Sequence, residues 1–145
     1  MFHLIAIDGT NNGGEDLFMR ASTDNGSSFI TSGYRNLLWQ THPNSTNNQY
    51  KTNALLALAD GFNTSDTTEG FHGHVYLSNV NDSAQKCYAY GQGIHTSDSN
   101  TPRNNNYAGH YDTVGAVNAV QFLFETGNIS GSTKAFITHY KQVIA

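Results

Sequence analysis

The chain has 145 residues, of which only 12% are charged, and its formal net charge is −4 at pH 7. It contains no lysine- or arginine-rich run, which excludes the basic surface that nucleic-acid binding requires. Its apolar runs, such as residues 54–59, are far shorter than the roughly 20 residues that span a bilayer, and residues 1–10 lack the pattern of a signal peptide.

The first half of the chain alternates short apolar runs with turns rich in Gly, Asn and Asp. At Asn25-Gly26 the sequence can supply the positive φ angles of a tight hairpin turn. Residues 42–53, with Pro43, read as a polar loop. Residues 54–59 favour a strand, because six residues bounded by polar turns are short for a helix. The strands predicted in this half are residues 2–7, 16–22, 34–40 and 54–59.

The second half continues the pattern, with residues 78–85 suited to a hairpin connection. Residues 91–106, which include Pro102, are the longest segment of low hydrophobicity, and a loop of that length is expected to be functional or mobile. Phe122 and Phe124 alternate with their neighbours and should share an inward face. Further strands are predicted over residues 71–77, 86–90, 107–111, 119–124 and 134–138. Eight to ten short strands predict a single all-β domain over residues 1–145, a jelly-roll-like antiparallel β-sandwich.

The histidines invite a metal hypothesis. His72 and His74 are two residues apart, so on a strand both rings face one side of the sheet. His3 or His110 could add a third ligand from a neighbouring strand. A zinc site needs three or four convergent ligands, however, and two spaced histidines are more typical of a strand surface or an interface. We therefore predict no metal.

The carboxylates form no arrangement typical of a hydrolase. Glu69 and Asp66 share one loop, but most carboxylates lie in turn sequences, where Asp bonds to the local backbone. Nucleophile-elbow, P-loop and dinucleotide-binding motifs are absent. Cys87 is the only cysteine, so no intrachain disulfide can form, and in an apolar strand it is typical of a small core residue. The sequence predicts no enzyme, no catalytic residue and no cofactor.

Aromatic residues near loops and strand ends are the first candidates for an interaction surface. Exposed aromatic rings are common at protein and sugar interfaces. The alternative is that these rings cover the ends of the sandwich. The candidates are Trp39, Tyr50, Tyr107 and Tyr111.

Three segments carry a resemblance to a family of phage virion domains. Residues 17–29 and the following Ser32-Gly33-Tyr34 match a Leu-x-x-Arg-x-Ser-Thr-Asp-x-Gly-Ser-x-Phe pattern and its continuation. Residues 73–79 match Gly-x-Val/Ile-Tyr-Leu-x-Asn, and residues 120–131 match Ile-x-Phe-Leu-x-x-x-Gly-Asn-Ile-x-x-Gly with Val in first place. The order of the segments spans nearly the whole chain. It resembles jelly-roll domains of capsid decoration proteins, head fibres and tail-fibre tips.

The resemblance implies a structural protein of the virion, assembled in the host cytoplasm, with no catalytic residues to carry over. A fibre tip normally follows an attachment shaft, whereas this chain enters its first predicted strand at Phe2. We therefore expect a capsid decoration (cement) protein that binds the major capsid protein lattice. The alternative is a tail-fibre or tail-tip protein that binds a receptor or a host-surface glycan. Neither nucleic acid nor membrane is expected as a partner.

The chain also departs from that family at its end, where residues 139–145 continue beyond the usual last strand. An apolar, β-prone tail is a liability unless a neighbour covers it. We therefore expect a homo-oligomer, with a trimer favoured from the symmetry of capsid lattices. A frayed terminus is the alternative. The candidate contact residues in the tail are Tyr140, Val143 and Ile144.

Overall fold

A computed structural model describes residues 1–10, 13–43, 45–50, 55–63, 70–130 and 134–137, without the side chains of 45–50 and 134–137. All the regular structure in these residues is β-strand. The ten strands are β1 Phe2–Ile7, β2 Gly14–Ser22, β3 Tyr34–His42, β4 Ser45–Tyr50, β5 Leu56–Asn63, β6 Phe71–Ser78, β7 Tyr88–Thr96, β8 Pro102–Tyr111, β9 Ala119–Phe124 and β10 Lys134–Ile137.

The strands form two antiparallel sheets. One has seven strands in the order β10-β1-β6-β7-β8-β3-β4, and the other has three in the order β5-β2-β9. Three nested pairs, β1 with β10, β2 with β9 and β3 with β8, alternate between the two sheets. A long antiparallel hairpin rolled across two sheets gives this connectivity. The predicted jelly-roll-like sandwich is confirmed.

The core lies between the sheets. Leu17, Met19 and Phe124 of the small sheet are buried, as are Leu4 and Val75 of the large one. Phe124 stacks on Phe62 at 5.4 Å between ring centroids. Phe122 meets Phe2 edge-on at 5.5 Å and packs against the core while remaining partly exposed. The prediction that Phe122 and Phe124 share the inward side is confirmed.

Tyr34 ties the two sheets together. Its hydroxyl accepts a hydrogen bond from the backbone N–H of Ala21 at 2.7 Å and donates one to the carbonyl of Ile30 at 3.1 Å. Tyr34 is fully buried, so these bonds satisfy a polar group that would otherwise cost stability. They also fix the start of β3 against the end of β2.

The turn at Asn25-Gly26 has the predicted backbone, with φ angles of 59° and 83°. The flanking strands do not form a hairpin, however, because β2 and β3 belong to different sheets. The turn predicted from Asn25-Gly26 is therefore present, but the packing of the two sheets decides which strands pair.

Two predicted loops are largely strand. β4 falls within residues 42–53 as a polar edge strand, and polar edges protect a sheet from pairing with other chains. In residues 91–106, β7 extends to Thr96, and Pro102 is the first residue of β8, paired with Thr96, so it does not lie in a loop. The loop prediction for residues 91–106 is wrong because the inward positions of β7 and β8 are occupied by glycine and by hydrogen-bonded polar residues, which lower the hydrophobicity of buried strands.

Candidate functional site

The large apolar side chains of strand β7 face solvent instead of the core. Its residues alternate strictly between exposed and buried. The buried positions carry small or polar residues, namely Ala89, Gly91, Gly93 and His95, and the exposed positions carry Tyr88, Tyr90, Gln92 and Ile94. Half or more of Tyr90 and Ile94 is exposed, at 51% and 52%. Folding alone does not account for large apolar groups in solvent.

Rings from neighbouring strands explain the small buried residues. A Cβ added at Gly93 would lie 2.5 Å from Cε2 of Phe71, and one at Gly91 would lie 2.8 Å from Cε2 of Tyr107. The two rings therefore lie against the glycine backbone of β7 and occupy the space that its side chains would fill. This arrangement leaves β7 free to present its tyrosines outward.

The tyrosines join a wider exposed face on the outer side of the seven-stranded sheet, here called the outer face. Among the described residues, five of the seven exposed large hydrophobic side chains lie on it, and Val80 and Val114 lie on loops. Such concentration is typical of an interaction surface, since scattered single apolar residues are normal on any protein. The five are Ile5, Leu37, Tyr88, Tyr90 and Ile94.

A shallow groove of about 420 Å³ opens on the outer face across β7, β8 and β3. Pairing places Ala108 between Tyr90 and Leu37 in one row across the sheet. The short side chain of Ala108 forms the floor, and the larger neighbours form the walls. In the adjacent row, His110 lies between Tyr88 and Arg35. The groove therefore combines exposed rings with planar polar groups.

Ring pairs hold the groove tyrosines in place. Tyr90 stacks on Tyr76 with centroids 5.2 Å apart and an interplanar angle of 18°, and Tyr88 packs at 5.2 Å against the ring of His110. Pairs of this kind contribute roughly 0.5–1.5 kcal/mol beyond the area that they bury. The exposed rings are thus ordered before any ligand arrives.

One carboxylate, Asp112, organises the polar end of the groove. It accepts hydrogen bonds from Nζ of Lys86 at 2.6 Å and from Nε of Arg35 at 3.2 Å, and Nε2 of His110 lies 3.5 Å away. The bonds from Lys86 and Arg35 lower the pKa of Asp112 to about 2. Arg35 contacts it through Nε, so the two terminal nitrogens of its guanidinium have no partner among the described residues.

The aromatic candidates from the sequence separate in the structure. Trp39 is partly buried on the outer face, in the row of Gln92 and Asn106. Tyr111 is partly buried against the core. The prediction of an exposed ring is wrong for Tyr107, which is 3% exposed and donates to the carbonyls of His74 and Gln92. It lies on the inner side of β8, where alternation and the adjacent Gly91 leave room for its ring.

The side chains of the remaining interaction candidates lie outside the described residues. Tyr50 pairs with Leu38 through its backbone in β4, and its side chain lies outside the described residues. Tyr140, Val143 and Ile144 also lie outside them, as do Asp66 and Glu69.

The histidines come partly together. His3 and His74 are directly opposite on β1 and β6 and face outward with His72, whereas His110 lies on β8 beside Asp112. The ring of His74 meets Tyr76 edge-on at 5.0 Å. Within the described part of the chain, no group of three or more His, Cys, Asp or Glu side chains could hold a metal ion.

A second polar cluster lies inside the sandwich. Nε2 of Gln40 donates to Oδ1 of Asn105 at 2.7 Å, and Nδ2 of Asn105 lies 2.8 Å from Nδ1 of His95. The amide donates in this pair, which places the imidazole proton on Nε2. Burial, helped by the charge of Arg103, lowers the pKa of His95 to about 4. The network supports the strands and is sealed from ligands, since all three side chains are buried.

Two further groups have shifted acidities. Burial raises the pKa of Asp16 to about 6, and the negative charge of Asp60 adds to the effect, while a hydrogen bond from the N–H of Gly61 opposes it. Burial raises the pKa of the Cys87 thiol to about 11. Cys87 is therefore a protonated core residue at neutral pH, as predicted, although it lies immediately before β7 and not within a strand.

The end of the sandwich next to the groove is a rigid cluster of loops 23–33, 79–87 and 112–118, here called the loop end. The side-chain oxygen of Asn118 accepts a hydrogen bond from the N–H of Asn25 at 2.9 Å, and its amide group donates one to the carbonyl of Thr23. The backbone N–H of Asn81 donates to the carbonyl of Val117. The loops are thus joined to one another. Val80 and Val114 protrude from this end, 47% and 51% exposed.

Asp24 fixes the first of these loops. Its carboxylate accepts hydrogen bonds from the hydroxyls of Ser22 and Ser28 and from the N–H of Ser28, which lower its pKa to about 2. The hydroxyl oxygen of Ser22 in turn accepts the N–H of Gly26. The Ser-Thr-Asp-x-Gly-Ser motif noted in the sequence therefore builds the turn at the loop end.

Four groove residues were not among the candidates from the sequence, namely Arg35, Leu37, Tyr88 and Tyr90, and His110 was considered there only as a metal ligand. A signal was present in the order Tyr-Ala-Tyr-Gly-Gln-Gly-Ile of residues 88–94, where large residues alternate with small ones. Alternation defines two faces, but it does not say which faces the core.

Family models, curated proteins and solved structures were compared with the chain, and none matched. Among the described residues, no helix is long and apolar enough to cross a membrane.

Proposed function

We propose that this chain is a non-enzymatic structural protein of a phage particle, a capsid decoration protein that binds the lattice of the major capsid protein. The observation that carries the proposal is the construction of the loop end. Two of the three segments that resemble phage virion domains, residues 17–29 and 73–79, lead into it. These two segments form the turn after β2 and the strand that enters the loop 79–87, so the residues that carry the resemblance build part of the loop end.

The loop end is suited to docking on a protein surface. Its loops are fixed by their own hydrogen bonds, so little conformational entropy is lost when a partner binds. The exposed Val80 and Val114 supply apolar contact at its tip. Loops held on a rigid sandwich are a common way to present a binding surface.

Quantitative mass spectrometry of purified particles tests the proposal. A decoration protein is expected in copy numbers comparable to those of the major capsid protein. Val80→Ser and Val114→Ser should reduce occupancy, whereas Ile5→Ser, on the outer face at the opposite side of the sheet, should leave it unchanged. Absence from the particle would contradict the virion role, and a few copies per particle would place the protein on the tail.

A receptor- or carbohydrate-binding tail appendage is the second candidate, because the exposed tyrosines of the outer face are suited to ligand contact. Under either role we also propose a homo-oligomer, with a trimer favoured. Light scattering of the full chain and of a form lacking residues 140–145 tests it. An unchanged mass after truncation would remove any assembly role for the tail.

A further inference from the structure

We propose that the groove on the outer face is a carbohydrate site that prefers acidic sugars. The inference rests on the proposed function only in requiring that this face is exposed on the particle. It concerns what the groove binds, and it holds for attachment to a capsid or to a tail.

The dimensions of the groove indicate a small, shallow ligand. Its volume of about 420 Å³ lies at the low end of ligand sites, which span roughly 300–1,000 Å³. A protein partner would need about 800 Å² of surface on each side and would have to cover much of the outer face beyond this groove. An extended ligand with one or two rings lying across Ala108 fits its open shape.

The chemistry of the walls indicates a sugar. The C–H faces of a pyranose ring pack against aromatic rings, while its hydroxyls need polar partners around the edge. Tyr88 and Tyr90 provide exposed rings that are held by His110 and Tyr76. Leu37 is the one aliphatic side chain larger than alanine among the groove's lining residues, so the groove lacks the aliphatic lining that an apolar peptide would require.

Charge complementarity selects an acidic sugar. The polar end of the groove holds two cations, Arg35 and Lys86, and a single carboxylate, Asp112, although the chain as a whole carries −4. Asp112 engages Nε of Arg35 and orients its guanidinium, whose side chain is 64% exposed. The two terminal nitrogens form a fork that matches a carboxylate in bidentate geometry.

A printed array of sialylated, uronic-acid and neutral glycans is the first test. Calorimetry then compares sialyllactose with lactose, and digalacturonic acid with galactobiose. We expect the acidic member of at least one pair to bind more tightly, and its affinity to fall as salt rises. Binding of neutral glycans alone, or of none, would overturn the proposal.

Three variants locate the site. Tyr90→Ala and Arg35→Gln should each weaken binding of the acidic glycan about tenfold or more, the usual effect of losing a charged or stacked contact. Ile94→Ala, which removes an equally exposed apolar group from the same face outside the groove, should bind as the wild type does. Equal losses in all three variants, or wild-type binding by Tyr90→Ala and Arg35→Gln, would overturn the assignment. Thermal melts confirm that each variant is folded.

Particle mass spectrometry separates this inference from the proposed function. A protein that is abundant on particles but binds no acidic glycan would retain the virion role and lose the carbohydrate site. A protein that binds the glycan but is absent from particles would retain the site and lose the virion role.

Discussion

The two faces of β7 show how one strand can serve folding and binding separately. On the inner face, Gly91 and Gly93 contribute almost no side chain, and the rings of Tyr107 and Phe71 lie against them. On the outer face, Tyr88 and Tyr90 are exposed and contact mainly other rings of the same face. The core beneath β7 is therefore filled by side chains of neighbouring strands, and the large side chains of β7 are exposed, where a partner can contact them.

The largest expected effect is on the inner face. Phe71→Ala removes a fully buried ring that covers β7, and we expect a loss of roughly 3–5 kcal/mol in the free energy of unfolding. Urea denaturation monitored by circular dichroism measures it. A loss below about 1 kcal/mol would mean that the ring does not support the core.

Gly93→Ala tests the same contact from the other side. The new methyl group would meet the Phe71 ring, and overpacking of this kind costs roughly 1–3 kcal/mol. Phe71→Leu should relieve part of the clash, so the double variant should lose less than the sum of the single ones. Gln92→Ala, one residue away on the outer face, is the matched control, with an expected change within about 0.5 kcal/mol.

The inner face should also be sensitive to acid through His95. Its pKa is about 4 when folded and near 6.5 when exposed, so the unfolded chain binds the proton first and stability falls as pH drops below about 6.5. Asp16 opposes this, because its raised pKa of about 6 makes the folded state hold a proton over much of the same range.

Asp16→Asn removes that opposition and keeps the oxygen that accepts the N–H of Gly61. In this variant we expect stability to fall by about 1–2 kcal/mol between pH 7.5 and 5.5. Adding His95→Gln should flatten the dependence. Denaturation curves at both pH values measure it, and an equal slope with and without His95 would show that another group is responsible.

The smallest effect is expected on the outer face. Tyr90→Ala should lower the free energy of unfolding by about 1–2 kcal/mol, less than Phe71→Ala, since it loses one ring pair and a side chain that is only half buried. The same variant should weaken glycan binding strongly. A loss of stability as large as that of Phe71→Ala would make Tyr90 a structural residue and remove the contrast between the faces.

The sequence by itself determined the fold class, most strand positions and several turns. Strand-length apolar runs and turn residues are local properties, which is why β1, β2, β9 and the positive φ angles at Asn25 and Gly26 were predicted. Local patterns also identified Cys87 as a core residue. The polar segments of β4 and β8 were missed, because an edge position or a buried amide such as Asn105 replaces hydrophobicity there.

Only the tertiary structure decided which faces of β7 and β8 meet the core. The alternating pattern of β7 and β8 predicts that each strand has two different faces, but not which face is buried. For β7, the rings of Phe71 and Tyr107 decide this, because they pack against Gly93 and Gly91. That choice buried Tyr107, which the sequence had offered as a contact, and exposed Tyr88 and Tyr90, which it had not. Because a side chain's burial depends on neighbours distant in the chain, the groove became visible only once the sheets were assembled.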